Sequence, residues 1–277
     1  MILREASLPP GWYPRDRVGV EEFLRPIIRK NDGTSAAVAP HAGWYYSGLC
    51  AARAVSSLNR NAETVVVIGG HLPVGMPILV ATEDAVKTPL GILDIDVDLR
   101  GAFQKLIEIR PDYLKDNTVE VLLPMVHYYY PEAKLLWLRF PAAMSSFDAG
   151  KLLSEAATSL GRNLAVLAST DLTHYGDNYG FSPRGRGRAA LEWAKKENDA
   201  AFIAAVLEGD PAMVLKCAEE DHAACSAGAV LGALGFASSK GAAERRLLEY
   251  SNSADVNEAS QDEVPDSFVG YAAISLG

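Results

Sequence analysis

The chain has 277 residues, of which 49% are hydrophobic and 22% are charged, as is ordinary for a globular protein with a sizeable core. Its formal net charge of −9 argues against a nucleic-acid partner, because binding phosphates requires a basic face. No apolar run reaches the ~20 residues that a membrane helix needs, and Arg4 and Glu5 interrupt the region where a signal peptide would be apolar. Three cysteines are too few for a disulfide framework. We therefore expect a cytoplasmic protein without membrane or nucleic-acid partners.

Short apolar runs alternate with helical patterns along the chain. Apolar and β-branched runs predict strands at 36–40, 64–69, 134–140, 164–169, 245–251 and 268–276. Helical periodicity and capping signals predict helices at 48–58, 97–109, 118–129 (capped by Asn117), 146–160, 185–207, from Asp210 onward, and 225–237. The polar stretch 252–266 is predicted to be a loop. This alternation favours an α/β fold with a mostly parallel or mixed central sheet flanked by helices, in one domain over residues 1–277.

Three of the five histidines come after predicted strands: His41, His71 and His174. The carboxyl ends of parallel strands share one edge of a sheet, and ligands bind at that edge. Neutral imidazole is the commonest metal ligand in proteins. Each histidine alone is equally typical of a hydrogen-bonded loop residue, so both interpretations are open at this point.

Two further side chains extend this pattern. Asp171 lies three residues before His174, where a carboxylate can orient an imidazole or share in proton transfer, although an aspartate there is also typical of a helix cap. Cys225 stands at the start of a predicted helix, where the helix dipole favours the thiolate form that binds metals. The alternative for Cys225 is a small buried core residue. His222, three residues earlier, is open between a partner of such a site and a plain loop residue.

Five segments, in the same order along the chain, resemble the Memo family, also called AmmeMemoRadiSam system protein B. They are REAS…GWY at 4–13, PHAGWYYSG at 40–48, the stretch from His71 to TPLG at 88–91, STDLTHYG at 169–176, and EYSNS…DSFVGYAA at 249–273. A single tetrapeptide of this kind would be a weak match. Five of them in order are specific.

The resemblance implies a fold similar to class III extradiol dioxygenases with a metal pocket at the strand ends. Its metal ligands would be His41, His71 and Cys225, with Asp171 and His174 as catalytic residues in the same pocket. In the dioxygenases two histidines and a carboxylate hold the metal, and cysteine is a softer ligand. We therefore expect a divalent transition metal: iron or copper first, with zinc as a further option. Candidate substrate-binding side chains are Trp12, Trp44, Tyr45 and Glu120.

One segment departs from the family pattern. The family usually has E-H-S-x-E-x-H-L-P, whereas this chain has DNTVEVLLP at 116–124. Asn117 and Leu122 therefore stand where histidines are usual, and two groups able to move protons or bind substrate are missing.

Two functions are consistent with these residues. The first is a metal-dependent oxidoreductase acting on a small aromatic or carbonyl molecule, with His174 as acid and base, oriented by Asp171. The second is a non-catalytic adaptor that binds a metal or a peptide. The family's name also implies radical-SAM and AMMECR-type partner proteins.

Overall fold

The computed structural model describes residues 1–27, 33–256 and 264–277. The strands in these ranges are β1 Leu3–Arg4, β2 Ala36–Ala39, β3 Thr64–Leu72, β4 Ile78–Val80, β5 Ala85–Thr88, β6 Gly91–Asp94, β7 Ile109–Pro111, β8 Lys134–Pro141, β9 Leu164–Ser169, β10 His174–Gly176, β11 Arg245–Asn252 and β12 Ser267–Leu276. The helices are α1 Arg17–Leu24, α2 Trp44–Ser57, α3 Val97–Gln104, α4 Asn117–Glu120, α5 Leu123–Tyr129, α6 Ser145–Ser159, α7 Arg188–Trp193, α8 Asp199–Glu208, α9 Pro211–Glu220, α10 Ala227–Ser239 and α11 Ser253–Val256. A π-helical turn, Ala194–Asn198, joins α7 to α8.

Nine of the described strands form the central sheet, in the order β10-β12-β2-β9-β3-β8-β4-β7, with β11 on β12. The four middle strands, β2, β9, β3 and β8, are parallel. Antiparallel pairs flank them, β12 with β2 on one side and β4 with β8 on the other. The sheet is therefore mixed with a parallel centre, which confirms the predicted α/β class. Strands β1, β5 and β6 form a separate small sheet.

Both faces of the parallel strands are buried. In β3, Val65 and Val67 pack into one core with α1, α2 and α5. Val66 and Ile68 point the other way, into a second core with α6, α9 and α10. Successive strand side chains face opposite sides of a sheet, so a run with no polar member requires helices on both faces. This explains why the parallel central strands were predicted accurately: 134–140 and 164–169 match β8 and β9 to within one residue. The short strands β1, β4, β5, β6, β7 and β10 were not predicted.

Two predicted helices are wrong in extent. The 97–109 pattern ends as helix α3 at Gln104, and the residues after it form strand β7, which pairs with β4 at the sheet edge. Pro111 is tolerated there because an edge strand needs fewer ladder bonds. The 118–129 pattern is two helices, and its cap is Asp116, whose side chain accepts from the backbone N–H of Thr118. Pro124 lies in the first turn of α5, where a helix can start afresh.

Two other boundaries depend on tertiary contacts. Helix α2 begins at Trp44, four residues earlier than predicted, and the backbone N–H of Trp44 donates to the carbonyl of Trp12 at 2.8 Å. The 185–207 helix begins at Arg188 and contains the π-helical turn.

Within the predicted 252–266 loop the structure has the short helix α11, and 257–263 lie outside the described residues. No helix in the described ranges is long and apolar enough to cross a membrane.

Candidate metal centre

Three side chains with metal-binding atoms converge at the carboxyl edge of the parallel strands. One ligand atom from each of His41, His71 and Cys225 lies within 4.8 Å of the other two. The Sγ atom of Cys225 is 3.3 Å from Nε2 of His41, and the two imidazole rings are perpendicular with centroids 4.9 Å apart. Tetrahedral binding at bond lengths of about 2.0–2.3 Å requires ligand atoms separated by roughly 3.3–3.6 Å. The geometry and the donor set therefore fit a transition-metal ion.

His41 is held in one orientation. It follows β2 by two residues and is buried. Its Nδ1 is hydrogen-bonded to the Ser169 hydroxyl at 2.9 Å, and its backbone N–H donates to the Asp171 carboxylate at 2.6 Å. With Nδ1 engaged, Nε2 is the nitrogen directed at Cys225. Fixing one ring nitrogen so that the other faces the metal is the usual way in which a ligating histidine is positioned.

His71 lies at a bulge. The pairing of β3 with β8 shifts register between Gly69 and Leu72, and His71 has a left-handed backbone with φ of 57°. A bulge of this kind redirects a side chain. His71 Nδ1 lies 3.1 Å from the Asp116 carboxylate, which also forms an ion pair with the buried Arg139 at 3.2 Å. Because Asp116, itself paired with Arg139, engages Nδ1 of His71, the Nε2 atom of His71 is the nitrogen available to bind a metal.

Cys225 reaches the site on a loop that is fastened to the strand ends. Its backbone N–H donates to the Asp171 carbonyl at 3.3 Å, and the next N–H, of Ser226, donates to the Thr170 hydroxyl at 3.1 Å. Helix α10 begins two residues after Cys225 rather than at it. A Cβ atom on Gly70 would lie 2.4 Å from the Ser226 side chain. Only glycine at position 70 therefore lets this loop lie against β3.

The three ligand candidates form a cluster of opposite charges. Burial raises the pKa of Cys225, but the two adjacent imidazoles outweigh burial and hold it well below its ordinary value. Burial lowers the pKa of His41, and the Asp171 carboxylate and the Cys225 thiolate outweigh it and raise the value. Burial also lowers the pKa of His71, whereas hydrogen bonds with Asp116 and Cys225 raise it to about 10. The two imidazoles therefore favour the thiolate form of Cys225, and thiolate is the form that binds metals.

A cavity of about 650 Å³ opens on this cluster. That volume lies in the range of small-molecule sites. Its polar lining includes the two histidine ligands with Asp171 and His174, and its aromatic wall consists of Trp12, Tyr45, Tyr46, Tyr179 and Tyr271.

Comparison with known sequences identifies the family. A family model described as "Memo-like protein" matches residues 4–275. The chain belongs to the Memo family. It is 33% identical over 295 residues to a MEMO1 family protein of Pyrococcus abyssi, with 99% of each chain covered. It is 32% identical over 299 residues to a MEMO1 family protein of Methanopyrus kandleri, with 98% of each chain covered.

A solved structure also shows likeness. The crystal structure of the uncharacterized protein JW3007 from Escherichia coli K12 superposes with a TM-score of 0.48 and 13% identity, covering 88% of this chain and 100% of that one. A likeness at this distance says nothing about the activity of the Memo-family protein.

The two residues of the STDLTHYG segment that were expected to be catalytic, Asp171 and His174, have different neighbours in this Memo-family protein. Asp171 contacts His41 twice, through the backbone N–H and, at 3.9 Å, through Nε2. His174 Nδ1 instead lies 3.1 Å from the carbonyl of Leu172, so it is this carbonyl that orients the ring. The expected Asp171–His174 hydrogen bond is not formed, although both side chains line the same cavity.

The four expected substrate-binding residues separate into two groups. Trp12 and Tyr45 line the cavity. Trp44 is buried in the core, where its indole N–H donates to the Val121 carbonyl at 2.9 Å. Glu120 is also buried, and its carboxylate accepts hydrogen bonds from the N-terminal segment. Glu120 thus anchors the segment that carries Trp12 instead of lining the cavity.

The two positions that depart from the family pattern also differ. Asn117 lines the cavity, and its amide donates to the carbonyl of His41 at 3.1 Å. Leu122 is 1% exposed and packs in the core. The asparagine therefore supports a candidate ligand, while position 122 contributes packing.

Several residues of the site escaped the sequence analysis. Arg139 was detectable, because a charge inside an apolar strand must find a buried partner. Asp116 gave a weaker signal, since it also reads as a helix cap. Ser169 gave no signal in the sequence, because its hydrogen bond with His41 exists only when β9 lies beside β2 in the sheet.

A buried pair in the π-helical turn region connects two site loops. The Asp199 carboxylate accepts from the backbone N–H of Thr173 at 3.0 Å and from the Tyr250 hydroxyl at 2.7 Å. The Asn198 amide donates to the Thr173 hydroxyl at 3.0 Å and to the Asp221 carbonyl at 2.9 Å. These bonds join the loop that carries His174 to the loop that carries the cysteine ligand candidate. Single π turns are often found at functional sites.

Proposed function

We propose that this Memo-family protein binds a transition-metal ion through His41, His71 and Cys225 and carries out redox chemistry on a small molecule in the 650 Å³ cavity. The observation that carries the proposal is the convergence of the three ligand atoms within 4.8 Å, beside that cavity. Three protein ligands leave at least one coordination position open, as in catalytic metal sites.

The donor set favours particular metals. Thiolate with two imidazoles suits iron, copper and zinc, whereas magnesium and calcium prefer oxygen ligands. The ion, when bound, would act as a Lewis acid or an electron carrier for a molecule in the cavity.

The chain's own residues would bind and orient that molecule. Trp12 and Tyr45 offer aromatic faces on which a flat substrate can stack. The described residues that line the cavity include no lysine or arginine, which favours an uncharged aromatic or carbonyl compound. His174 gives one ring nitrogen to the Leu172 carbonyl, so its Nε2 is available to accept or return a substrate proton.

A second function, binding of a metal or a peptide without catalysis, is supported by the residues at positions 117 and 122. Leu122 lies in the core and Asn117 is bonded to the His41 carbonyl, so neither of the two usual family histidines is present to act on a substrate. A protein that binds a metal or a peptide without catalysis is consistent with this arrangement.

Metal analysis tests both functions. Wild-type protein and the variants His41→Ala and His127→Ala are reconstituted anaerobically with Fe²⁺, Cu⁺ or Zn²⁺, desalted and analysed for bound metal. His127 is the matched control because its ring is hydrogen-bonded to Thr88, outside the site. We expect about one ion per chain in the wild type and in His127→Ala, and loss of that ion in His41→Ala. Wild-type protein that retains no metal would refute the site.

Oxygen consumption with catechol-like and carbonyl compounds then separates the two functions. Uptake that requires bound metal and is lost in His174→Ala supports the oxidoreductase. Stoichiometric metal without turnover of any such compound supports the binding protein.

A further inference from the structure

A second cavity, of about 420 Å³, also opens on the ligand cluster, where it is lined by His71 and Cys225. It shares His71 and His174 with the larger cavity, but Cys225 lines only the smaller one and His41 only the larger one. The ligand cluster therefore lies between two openings. The lining of the smaller cavity also includes His222, which the proposed function does not use.

His222 has an unusual backbone. Among the described residues other than glycine, only His71 and His222 have positive φ, at 57° and 51°. Both line the smaller cavity. A Cβ atom disfavours this conformation, because it lies too close to the following carbonyl oxygen, and residues held in it cluster at ligand sites. The ring of His222 lies edge-on to Phe181, with centroids 4.9 Å apart.

The chemistry of this opening suits a metal cation. Three imidazoles and one thiol line it, and His222 is outside the group of ligand atoms that lie within 4.8 Å of one another. His222 is exposed, and the three residues immediately before it, Glu219, Glu220 and Asp221, are exposed and acidic. Acidic groups at an opening raise the local concentration of cations.

We infer that the smaller cavity is the route by which the metal ion reaches its site, with His222 as the first protein ligand. This inference rests on the proposed metal binding. A hydrated divalent ion exchanges one water for the His222 imidazole, and the bond to His222 then breaks as the Cys225 thiolate binds the ion. Any proton on a ligand atom passes to solvent as that atom binds the ion, and the oxidation state of the ion does not change.

Cobalt uptake measured by stopped flow tests the role of His222. Metal-free protein is mixed anaerobically with Co²⁺, and the thiolate-to-cobalt absorption reports arrival at Cys225. The variant is His222→Asn, because asparagine tolerates a left-handed backbone, and the control is His127→Asn. A residue that lies only on the entry route changes the energy barrier that the ion crosses on its way in and out, and not the free energy of the bound state. We therefore expect the association and dissociation rate constants of His222→Asn to fall together by about tenfold. The final spectrum and the affinity should match the wild type.

Other results with His222→Asn would overturn the inference. Unchanged rates exclude His222 from the route. A weaker affinity with an altered final spectrum would make His222 a ligand of the bound ion instead. If wild-type protein gives no thiolate-to-cobalt absorption, the proposed metal site fails and the inference fails with it, whereas a normal wild-type spectrum with unchanged variant rates refutes the inference alone.

A pair of cavity-narrowing variants tests the route without removing any histidine. Ala224→Phe adds a ring to the lining of the smaller cavity, and Asn178→Phe adds one to the larger cavity. We expect Ala224→Phe to slow cobalt uptake by about tenfold and Asn178→Phe to leave it unchanged, with the wild-type final spectrum showing that both variants are folded. The reverse order, or equal rates, would overturn the inference.

Discussion

The Sγ atom of Cys225 lies 3.3 Å from Nε2 of His41, although 184 positions separate the two residues in the chain. The contact exists because the Cys225 loop is bonded to the 169–171 segment, which lies beside the end of β2. The imidazole at this distance lowers the pKa of the Cys225 thiol well below its ordinary value. The fold itself therefore favours the form of this ligand that binds a metal.

Metal affinity should increase with pH. The pKa of His71 in the folded, metal-free protein is about 10, so at pH 7 its ring carries a proton that a metal must displace. Because the pKa of Cys225 is held well below its ordinary value, the displaced protons come mainly from the imidazoles. We expect the apparent Zn²⁺ affinity to rise as the pH increases from 6.5 towards 10, by up to about tenfold per pH unit for each displaced proton. Competition against a chelator of known pH dependence measures this, and an affinity that is flat between pH 7 and 9 would contradict it.

Removing the charge of Asp116 should weaken metal binding. The carboxylate lies between His71 and Arg139 and orients the ring. Asparagine retains the helix cap of α4 but loses the charge, and substitutions of such supporting groups typically cost about 10–100-fold in metal affinity. We expect a loss of that size in Asp116→Asn. Asp148→Asn, on an exposed side chain paired with Lys151, should bind like the wild type, and equal affinities in both variants would exclude the positioning role.

Gly70→Ala should impair the site through packing alone. The added Cβ would overlap the Ser226 side chain at 2.4 Å and also lie 2.9 Å from its Cα, so the loop that holds Cys225 must move away. We expect a stability loss of about 1–3 kcal/mol, typical of overpacking, with weaker metal binding. The control is Gly101→Ala in α3, where a Cβ meets nothing within 4 Å.

The control variant, Gly101→Ala, should be more stable than the wild type instead of less stable. An alanine at position 101 is expected to increase the free energy of unfolding by about 0.4–1 kcal/mol and to leave metal binding unchanged. Urea unfolding and zinc titration of the two variants measure both effects. Normal zinc affinity in Gly70→Ala would show that the Cys225 loop tolerates displacement.

Asp199 should make stability decrease as the pH rises. Burial raises its pKa to about 6 in the folded protein, from an ordinary 3.8, despite hydrogen bonds that lower it. Between these values the folded state binds more protons than the unfolded state, so the contribution of Asp199 to stability is lost as the pH increases to 6. The difference is about two pH units, at roughly 1.4 kcal/mol each.

The variant Asp199→Asn isolates this contribution. Urea unfolding with a metal chelator present, from pH 4 to pH 7.5, compares the two proteins. We expect the free energy of unfolding of the wild type, minus that of Asp199→Asn, to fall by about 2 kcal/mol between pH 4 and pH 7, because the unfolded carboxyl is already more than half ionised at pH 4. Parallel curves would show that Asp199 titrates normally in the folded protein.

The four parallel strands at the centre of the sheet could be predicted because their signal is local. A run such as 164–169, with apolar residues on both faces, has no stable position except between two helical layers. The 97–109 segment failed for the opposite reason. Its apolar residues fit a helix throughout, but Ile109 and its neighbours pair with β4, and that strand lies far from them in the sequence.

The sequence by itself determined the α/β class, the family, and the placement of His41 and His71 at the carboxyl ends of two strands of the parallel centre, because runs of apolar residues decide where strands end. The tertiary structure alone decided which groups meet there. It brought Cys225 to His41, turned Asp171 towards His41 instead of His174, and buried Trp44 and Glu120 in structural roles. Contacts of this kind depend on which loops pack together and how closely a glycine lets them approach, and no local pattern of residues encodes that.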